Sequence, residues 1–259
     1  MTTATLPYRV TPARVLHSEW HKFRTLRSTW INLAVTSLLT AAMGAGLGAA
    51  YDGSGEGGMD TVMFVLLGTQ FATINLGVLG ILATAGEYST GQIRATMTAV
   101  PRRLPVLWSK AAVLTAIVLP LTLATNLLTF PLAQSFLTGT DLSASFGDPG
   151  VLRALAGNAA GLTLLAVLAL AIGALLRSVP TAIGAFIGLI MILPEVLAML
   201  PYDAVDNAVR YFPGKALEAL TTAQPMPGAA SPGSALLAML LWTATTLAMA
   251  AWVLRRRDV

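Results

Sequence analysis

Six long stretches of this chain carry almost no charge, and nothing else in the sequence constrains its fold as strongly. They occupy residues 30–50, 61–85, 111–134, 154–176, 179–200 and 234–254, the fifth interrupted near its end by Pro194 and Glu195. A helix that crosses the hydrocarbon core of a bilayer needs about 20 apolar residues. A soluble fold would have to wrap such runs in a polar shell. Only 11% of the 259 residues are charged, against roughly 25% in ordinary soluble domains. The alternating strands of about ten residues that mark a transmembrane barrel are missing. The expected fold is therefore an all-α integral membrane protein with six transmembrane helices over 30–254. A segment 1–29 precedes them and a basic tail, 255–259, follows. The first apolar run is longer than the 7–15-residue core of a cleavable signal and lies far from the start, so it is expected to remain as a span.

Basic residues orient such a bundle, because Lys and Arg are retained on the cytoplasmic side. Thirteen of the sixteen fall on one side: Arg9, Arg14, Lys22, Arg24 and Arg27, then Arg94, Arg102, Arg103 and Lys110, then Arg177, then Arg255, Arg256 and Arg257. Only Arg153, Arg210 and Lys215 fall on the other, where the loops also carry Asp52, Glu56, Asp60, Asp141, Asp148, Asp203, Asp206 and Glu218. Both termini are expected in the cytoplasm. The chain has no Cys, which excludes disulfides, thiolate metal sites and Cys nucleophiles.

Two segments outside the spans have a pattern of their own. From Pro12 onward, Val15, Leu16, Trp20, Phe23, Leu26 and Trp30 fall within one helical arc of about 140°, with Arg14, His17, His21, Lys22 and Arg24 opposite. Such a helix lies in the membrane interface, its basic side toward anionic lipid. Glu19 and Arg27 also project from the apolar arc. Either they snorkel to water, or part of this face meets protein, where a charge finds a partner. His17 and His21, the only histidines, are four apart, a spacing that can clamp a metal from one helix face. Glu19 lies on the opposite side, so this is not the zinc-protease arrangement, and the pair reads as part of a solvated face with no metal.

The second segment runs from Gly86 to Lys110. Ser89 followed by Gln92 has the form of a capping box, and Pro101 stops the short helix it would open. Ile93, Met97 and Val100 share one face. This is either a plain interfacial helix or a docking element for a cytoplasmic partner. On the opposite side, residues 203–222 read as partly helical and residues 224–233 as a Pro/Gly-rich loop. Glu195 is placed near the outer boundary.

Inside the spans, Gln70, Thr73, Gly77, Gly80 and Thr84 form one polar stripe, and Thr115, Thr122, Thr125, Asn126 and Thr129 another. They serve helix packing or line a transport path. Gly44 with Gly48, Gly157 with Gly161, and Gly184 with Gly188 are small-residue pairs that permit close helix contact.

The stretch Glu19-Trp20-His21-Lys22-Phe23-Arg24-Thr25-Leu26-Arg27-Ser28-Thr29-Trp30, the loop Gly86-Glu87-Tyr88-Ser89-Thr90-Gly91 through Pro101-Arg102-Arg103 to Lys110, and the terminal Arg256-Arg257-Asp258 together resemble the permease subunits of ATP-binding-cassette (ABC) exporters of the type-2 family. Leu193-Pro194-Glu195 and Tyr211-Phe212-Pro213 are similar to that family as well. The resemblance implies two permease copies, as a homodimer or a related heterodimer, bound to separate ABC ATPase subunits. The short helix would be the coupling helix, with Glu87 orienting its loop and Ile93, Arg94, Met97, Arg102 and Arg103 at or near the ATPase. The N-terminal helix, with Glu19, Trp20, Phe23 and Arg27, would be the connecting helix. The second and fifth spans would line the path, placing Gln70, Thr73 and Thr84 near cargo.

No Walker loop is present, and the only Gly-Lys pair is Gly214-Lys215. The chain is thus expected to be no enzyme and to bind no cofactor, with ATP and Mg held by the partner. Membrane lipid is a further partner and nucleic acid is not. A mostly apolar path favours an amphipathic or hydrophobic compound. Alanine- and leucine-rich, lysine-poor composition suggests a bacterium with GC-rich DNA, and the expected location is then the bacterial cytoplasmic membrane. A six-span serine protease would need a His in the bundle, and both histidines precede it. An ion-coupled carrier would place an acid at midplane. The alternatives are a membrane anchor or assembly protein without transport, or such an ion-coupled carrier.

The charge asymmetry is open to a direct check. In this Cys-free chain, Ser231→Cys should react with an impermeant thiol reagent added outside intact cells, and Arg102→Cys should react only after permeabilisation. Labelling of Arg102→Cys from outside would overturn the six-span topology.

Overall fold

The computed structural model describes residues 11–53, 59–100, 103–224 and 226–256. Met1, Arg9, Ser54, Glu56, Pro101, Arg102, Arg257, Asp258 and Val259 lie outside the described residues. The described chain is all-helical, and six of its helices are long and apolar enough to cross a membrane.

The first helix, α1 (Pro12–Thr25), starts where the pattern predicts. Thr11 accepts the Arg14 N–H at 3.4 Å, and Pro12 sits in the first turn, where no N–H is needed. The arc ends sooner than expected. Leu26 is extended, and α2 (Arg27–Ala50) begins at once, so Trp30 belongs to the first span. The Trp30 indole N–H donates to the Arg24 carbonyl at 2.9 Å across the joint.

The apolar run 61–85 is not one helix. Asp60 caps α3 (Thr61–Val65) through the N–H groups of Val62 and Met63. A turn at Leu66–Gly68 then leads into α4 (Thr69–Ser89). Next come the short α5 (Gln92–Ala99) and α6 (Leu104–Leu137). The expected Ser89 capping box does not form. Ser89 still belongs to α4, its hydroxyl donates to the Gly86 carbonyl, and Gly91 (φ 72°) makes the left-handed turn into α5. With 34 residues, α6 is about 51 Å long, so it outreaches the hydrocarbon core and carries Lys110 within its first two turns.

The fourth span is α7 (Val151–Leu176), and it is the hub. It is apolar on all sides, as a buried helix must be, and α4, α6, α11 and α12 all pack on it. The fifth span consists of α8 (Val179–Ile187), a π-helical turn at Gly188–Ile192 and α9 (Leu193–Ala198). Pro194 accounts for the turn: it has no N–H for the Ile190 carbonyl and crowds it, so the helix widens just before it. Two short helices follow, α10 (Asp203–Val209) and α11 (Pro213–Thr221), the latter burying Ala216, Leu217 and Leu220. The last span, α12 (Pro232–Arg256), takes in Arg255 and Arg256, which the sequence assigned to the tail.

Two glycine pairs meet neighbouring elements as expected. A Cβ on Gly48 would lie 3.0 Å from the Ala133 carbonyl and one on Gly157 2.7 Å from that of Leu220, whereas Gly184 and Gly188 have nothing within 4 Å. Large apolar side chains, among them Leu38, Leu128, Leu237 and Met199, are exposed around the outside of the bundle, a surface suited to lipid rather than water. Of the two ends, the one carrying α1, α5, Arg177, Arg255 and Arg256 is called the basic end below.

Two helix backbones come closest together between α4 and α7, where a Cβ on Gly80 would fall 2.2 Å from the Ala166 carbonyl. Backbone cannot yield as a side-chain tip can. Gly80→Val should destabilise the bundle by at least the roughly 1–3 kcal/mol of an overpacked core, read as a lower unfolding temperature in detergent. Gly184→Ala should leave it unchanged or raise it. Equal midpoints for Gly80→Val and wild type would refute this seam.

Candidate functional site: a closed ring of charges at the basic end

Four charged side chains from three helices meet beneath α5. On α1, Val15, Glu19 and Phe23 stand four residues apart and are all buried, so they form the face that packs against α6 and its surroundings. Glu19 is only 2% exposed, Glu87 near the end of α4 6% and Lys110 in α6 4%. The Lys110 ammonium donates to Glu19 Oε2 at 2.8 Å and to Glu87 Oε1 at 2.6 Å. Lys22 donates to Glu19 Oε1 at 2.8 Å and to Glu87 Oε1 at 3.0 Å. Glu19, Lys110, Glu87 and Lys22 thus form a closed ring of alternating sign with no net charge.

That alternation is what makes burial tolerable. A buried ion loses hydration worth several kcal/mol, which is recovered only through close opposite charges and hydrogen bonds. Each ring member touches two of opposite sign. Lys22 is the most open corner, its side chain 32% exposed. Burial works against its charge, but hydrogen bonds and attraction from Glu19 and Glu87 outweigh this and hold its pKa above the ordinary lysine range. A lysine with a raised pKa stabilises the fold at every pH below its unfolded value, about 10.4, and loses that contribution only as pH rises past the folded one. Lys22 therefore stays charged throughout the neutral range.

The ring settles one question left open by the sequence. Glu19 has found protein partners, whereas Arg27 is exposed. It also corrects two expectations. Phe23 does not face the acyl boundary but joins the main core with Leu33 and Leu107, while Leu16 and Trp20 remain exposed. The apolar side of α5 turns inward too. Ile93 is buried, Met97 packs against the main core, and both line a small cavity with Thr84, Glu87, Tyr88, Val106, Leu107, Lys110, Ala174 and Leu254. Ile93 and Met97 thus seat α5 on its own chain. The face left open consists of Gln92, Arg94, Ala95 and Thr98. Arg103 is half-buried and donates to the Leu254 carbonyl at 3.4 Å; Arg102 lies outside the described residues.

The polar stripes mostly hold helices together. Thr84 donates to the Leu170 carbonyl at 2.8 Å, across the α4–α7 seam, and Thr73 to that of Thr69 at 3.0 Å. Both are buried, Thr84 within the seam and Thr73 at the floor of a shallow cleft that it shares with Gln70. Gln70 is exposed, on a shallow cleft with Leu217, Glu218 and Thr221. In the second stripe, Asn126 donates to the Leu155 carbonyl and to Asn158 Oδ1, each at 3.0 Å. Asn158 in turn donates to Thr221 at 2.9 Å and Thr69 at 3.4 Å, joining α6, α7, α11 and α4. Glu195 is largely exposed and pairs with Lys215 at 2.7 Å, as a boundary carboxylate should.

No family model and no curated protein sequence matches this chain.

Two ring members and one network residue are thus not evident from the sequence. Lys22 was read as part of a solvated arc and Lys110 as a loop cation, and Asn158 was not singled out at all. A Glu on the apolar arc of α1 was the available signal for a buried cationic partner. The ring predicts strong non-additivity. Lys110→Met leaves two buried carboxylates facing only Lys22 and should cost about 3–5 kcal/mol. Adding Glu87→Gln to Lys110→Met should recover part of that loss. Unfolding in detergent reads both variants, and simple additivity of the two changes would refute a coupled ring.

Proposed function

We propose that this chain is the permease subunit of an ABC exporter of the type-2 kind, built into a bacterial cytoplasmic membrane with both termini inside. It would move an amphipathic or hydrophobic compound, with ATP hydrolysed by a separate subunit. The observation that carries this reading is the charge ring beneath a short external helix. A loop that only joined two spans would need neither. Here α5 projects between α4 and α6 with Arg94 and Thr98 exposed, and the ring fastens its base to α1 and to the first turns of α6. A push on α5 would reach α1, α4 and α6 together. ATP-driven closure of a partner has to be delivered through such a joint, because an energy source shifts a conformational equilibrium only through its different affinity for the two states.

The interior of the single chain supports the dimeric part of the reading. Its polar stripes are largely used in helix contacts, so a route for cargo would lie between two copies. The fifth span has the smallest share of buried residues of the six. Together with the exposed Gln70 it offers a face for that route.

In this reading the ATPase would meet the outward side of α5, where Gln92, Arg94, Ala95 and Thr98 are exposed. Isolated in mild detergent from its native membrane, the chain should bring down a nucleotide-binding subunit with a Walker motif and ATPase activity. Arg94→Glu should reduce recovery of that subunit and leave the permease's own unfolding temperature unchanged. Met97→Glu should instead lower that temperature, since it places a carboxylate against the core. A permease that carries no ATPase, or an Arg94→Glu variant that retains full binding and coupled activity, would sink the proposal.

A further inference from the structure

On the face of α1 turned away from the ring, His17 and His21 bring their Nε2 atoms to 3.3 Å, with the imidazole rings 4.4 Å apart and nearly edge to face. The separation is informative. Two nitrogens bound to one tetrahedral ion at about 2.0–2.1 Å each lie about 3.3–3.4 Å apart. The pair already holds the spacing of two zinc ligands, on one turn of helix and open to solvent. We propose that His17 and His21 form a two-ligand site for a borderline divalent cation, of which Zn2+ is the type imidazole suits. This revises the reading of the pair as merely a solvated face. Among the described residues no group of three or more His, Cys, Asp or Glu is placed to hold a metal ion. Water would complete the coordination in the isolated chain.

The site has a structural consequence because of what shares its turn. Glu19 lies between the two histidines in sequence and Lys22 directly follows them, and both belong to the charge ring on the inner face. A cation that bridges residues 17 and 21 binds only the helical form of that turn. Binding one state alone stabilises that state by mass action. Zn2+ on the outer face therefore holds Glu19 and Lys22 in the helical register that the ring requires, and acts as a brace on α1.

Composition makes the test clean. These are the only two histidines, and there is no Cys to compete for zinc. The experiment uses the full chain in detergent, purified with an affinity tag free of histidine, and titrates Zn2+ by calorimetry and by unfolding temperature. Wild type should bind one Zn2+ saturably and unfold at a higher temperature in its presence. His17→Ala and His21→Ala should each weaken binding at least about tenfold, the lower end of what loss of a mere supporting group costs, and should abolish the thermal shift. Their midpoints without zinc should match wild type, since both positions are exposed and alanine favours helix. Absence of zinc binding in wild type would mean an interhistidine hydrogen bond only. Saturable binding that survives in either variant would place the metal elsewhere, and either result overturns the proposal.

Discussion

A carboxylate that cannot reach water must be answered by a cation, and this requirement organises the basic end of the molecule. Glu19 and Glu87 are both buried, and neither could remain ionised alone in an apolar surround. Lys110 answers both at once, at 2.8 and 2.6 Å. It can do so only if α1 lies across the start of α6 with its Glu19 face inward. The position of α1 thus follows from electrostatics as much as from the burial of Val15 and Phe23. An apolar seam of the same area could slide by a residue. A ring with three specified contacts between helices has one register.

The rest of the bundle follows the opposite rule. Around α7 the contacts are apolar, spent on backbone carbonyls or, at Asn158, closed among the side chains of Asn126, Thr69 and Thr221. Hydroxyls in these spans turn back on their own helices, as Thr36, Thr40, Thr122 and Thr163 do, or cross to a neighbour, as Thr84 does. In hydrocarbon a polar group without a partner costs several kcal/mol, so a tightly packed membrane bundle tends to close its polar groups on itself. That leaves little polar surface inside one chain to guide a solute, and it is why a cargo route belongs between chains in the proposed reading.

The spans were legible because the signal is additive: some twenty apolar residues in a row outweigh any local exception. The expected and observed spans share their cores and differ at their ends, most in α4 and α6, and the first turns of α6 contain Lys110. Charge at a helix end looks like a boundary until its partner is known, so the sequence marked the span as starting at 111. The turn at Leu66–Gly68 was hidden for a related reason. Hydropathy sums along a run and is blind to where the backbone changes direction. The apolar side of α5 was recognised, but not whether it faced a partner or its own chain. Period tells which residues share a face and says nothing of what covers it. Asn158 illustrates the same limit from the polar side. It lies alone in an apolar run, and its three-way role among Asn126, Thr69 and Thr221 exists only once four helices are assembled.

The ring's corners are not equivalent, and the difference bears on how α1 can move. Lys22 makes both its bonds at an edge open to solvent, so water can replace Glu19 and Glu87 there at modest cost. Lys110 is enclosed, and pulling Glu19 or Glu87 from it would leave an ion unpaired in a dry site, a far larger penalty. Separation of α1 from the bundle is therefore strongly opposed. A swing of α1 that opens the Lys22 side and keeps the Lys110 bonds as a pivot is much less so. Both carboxylates stay attached to the same ammonium throughout such a swing, so α1, α4 and the start of α6 remain one mechanical unit while their outer edge changes shape. A joint of this form transmits displacement without unfolding, which is the property the proposed role of α5 demands.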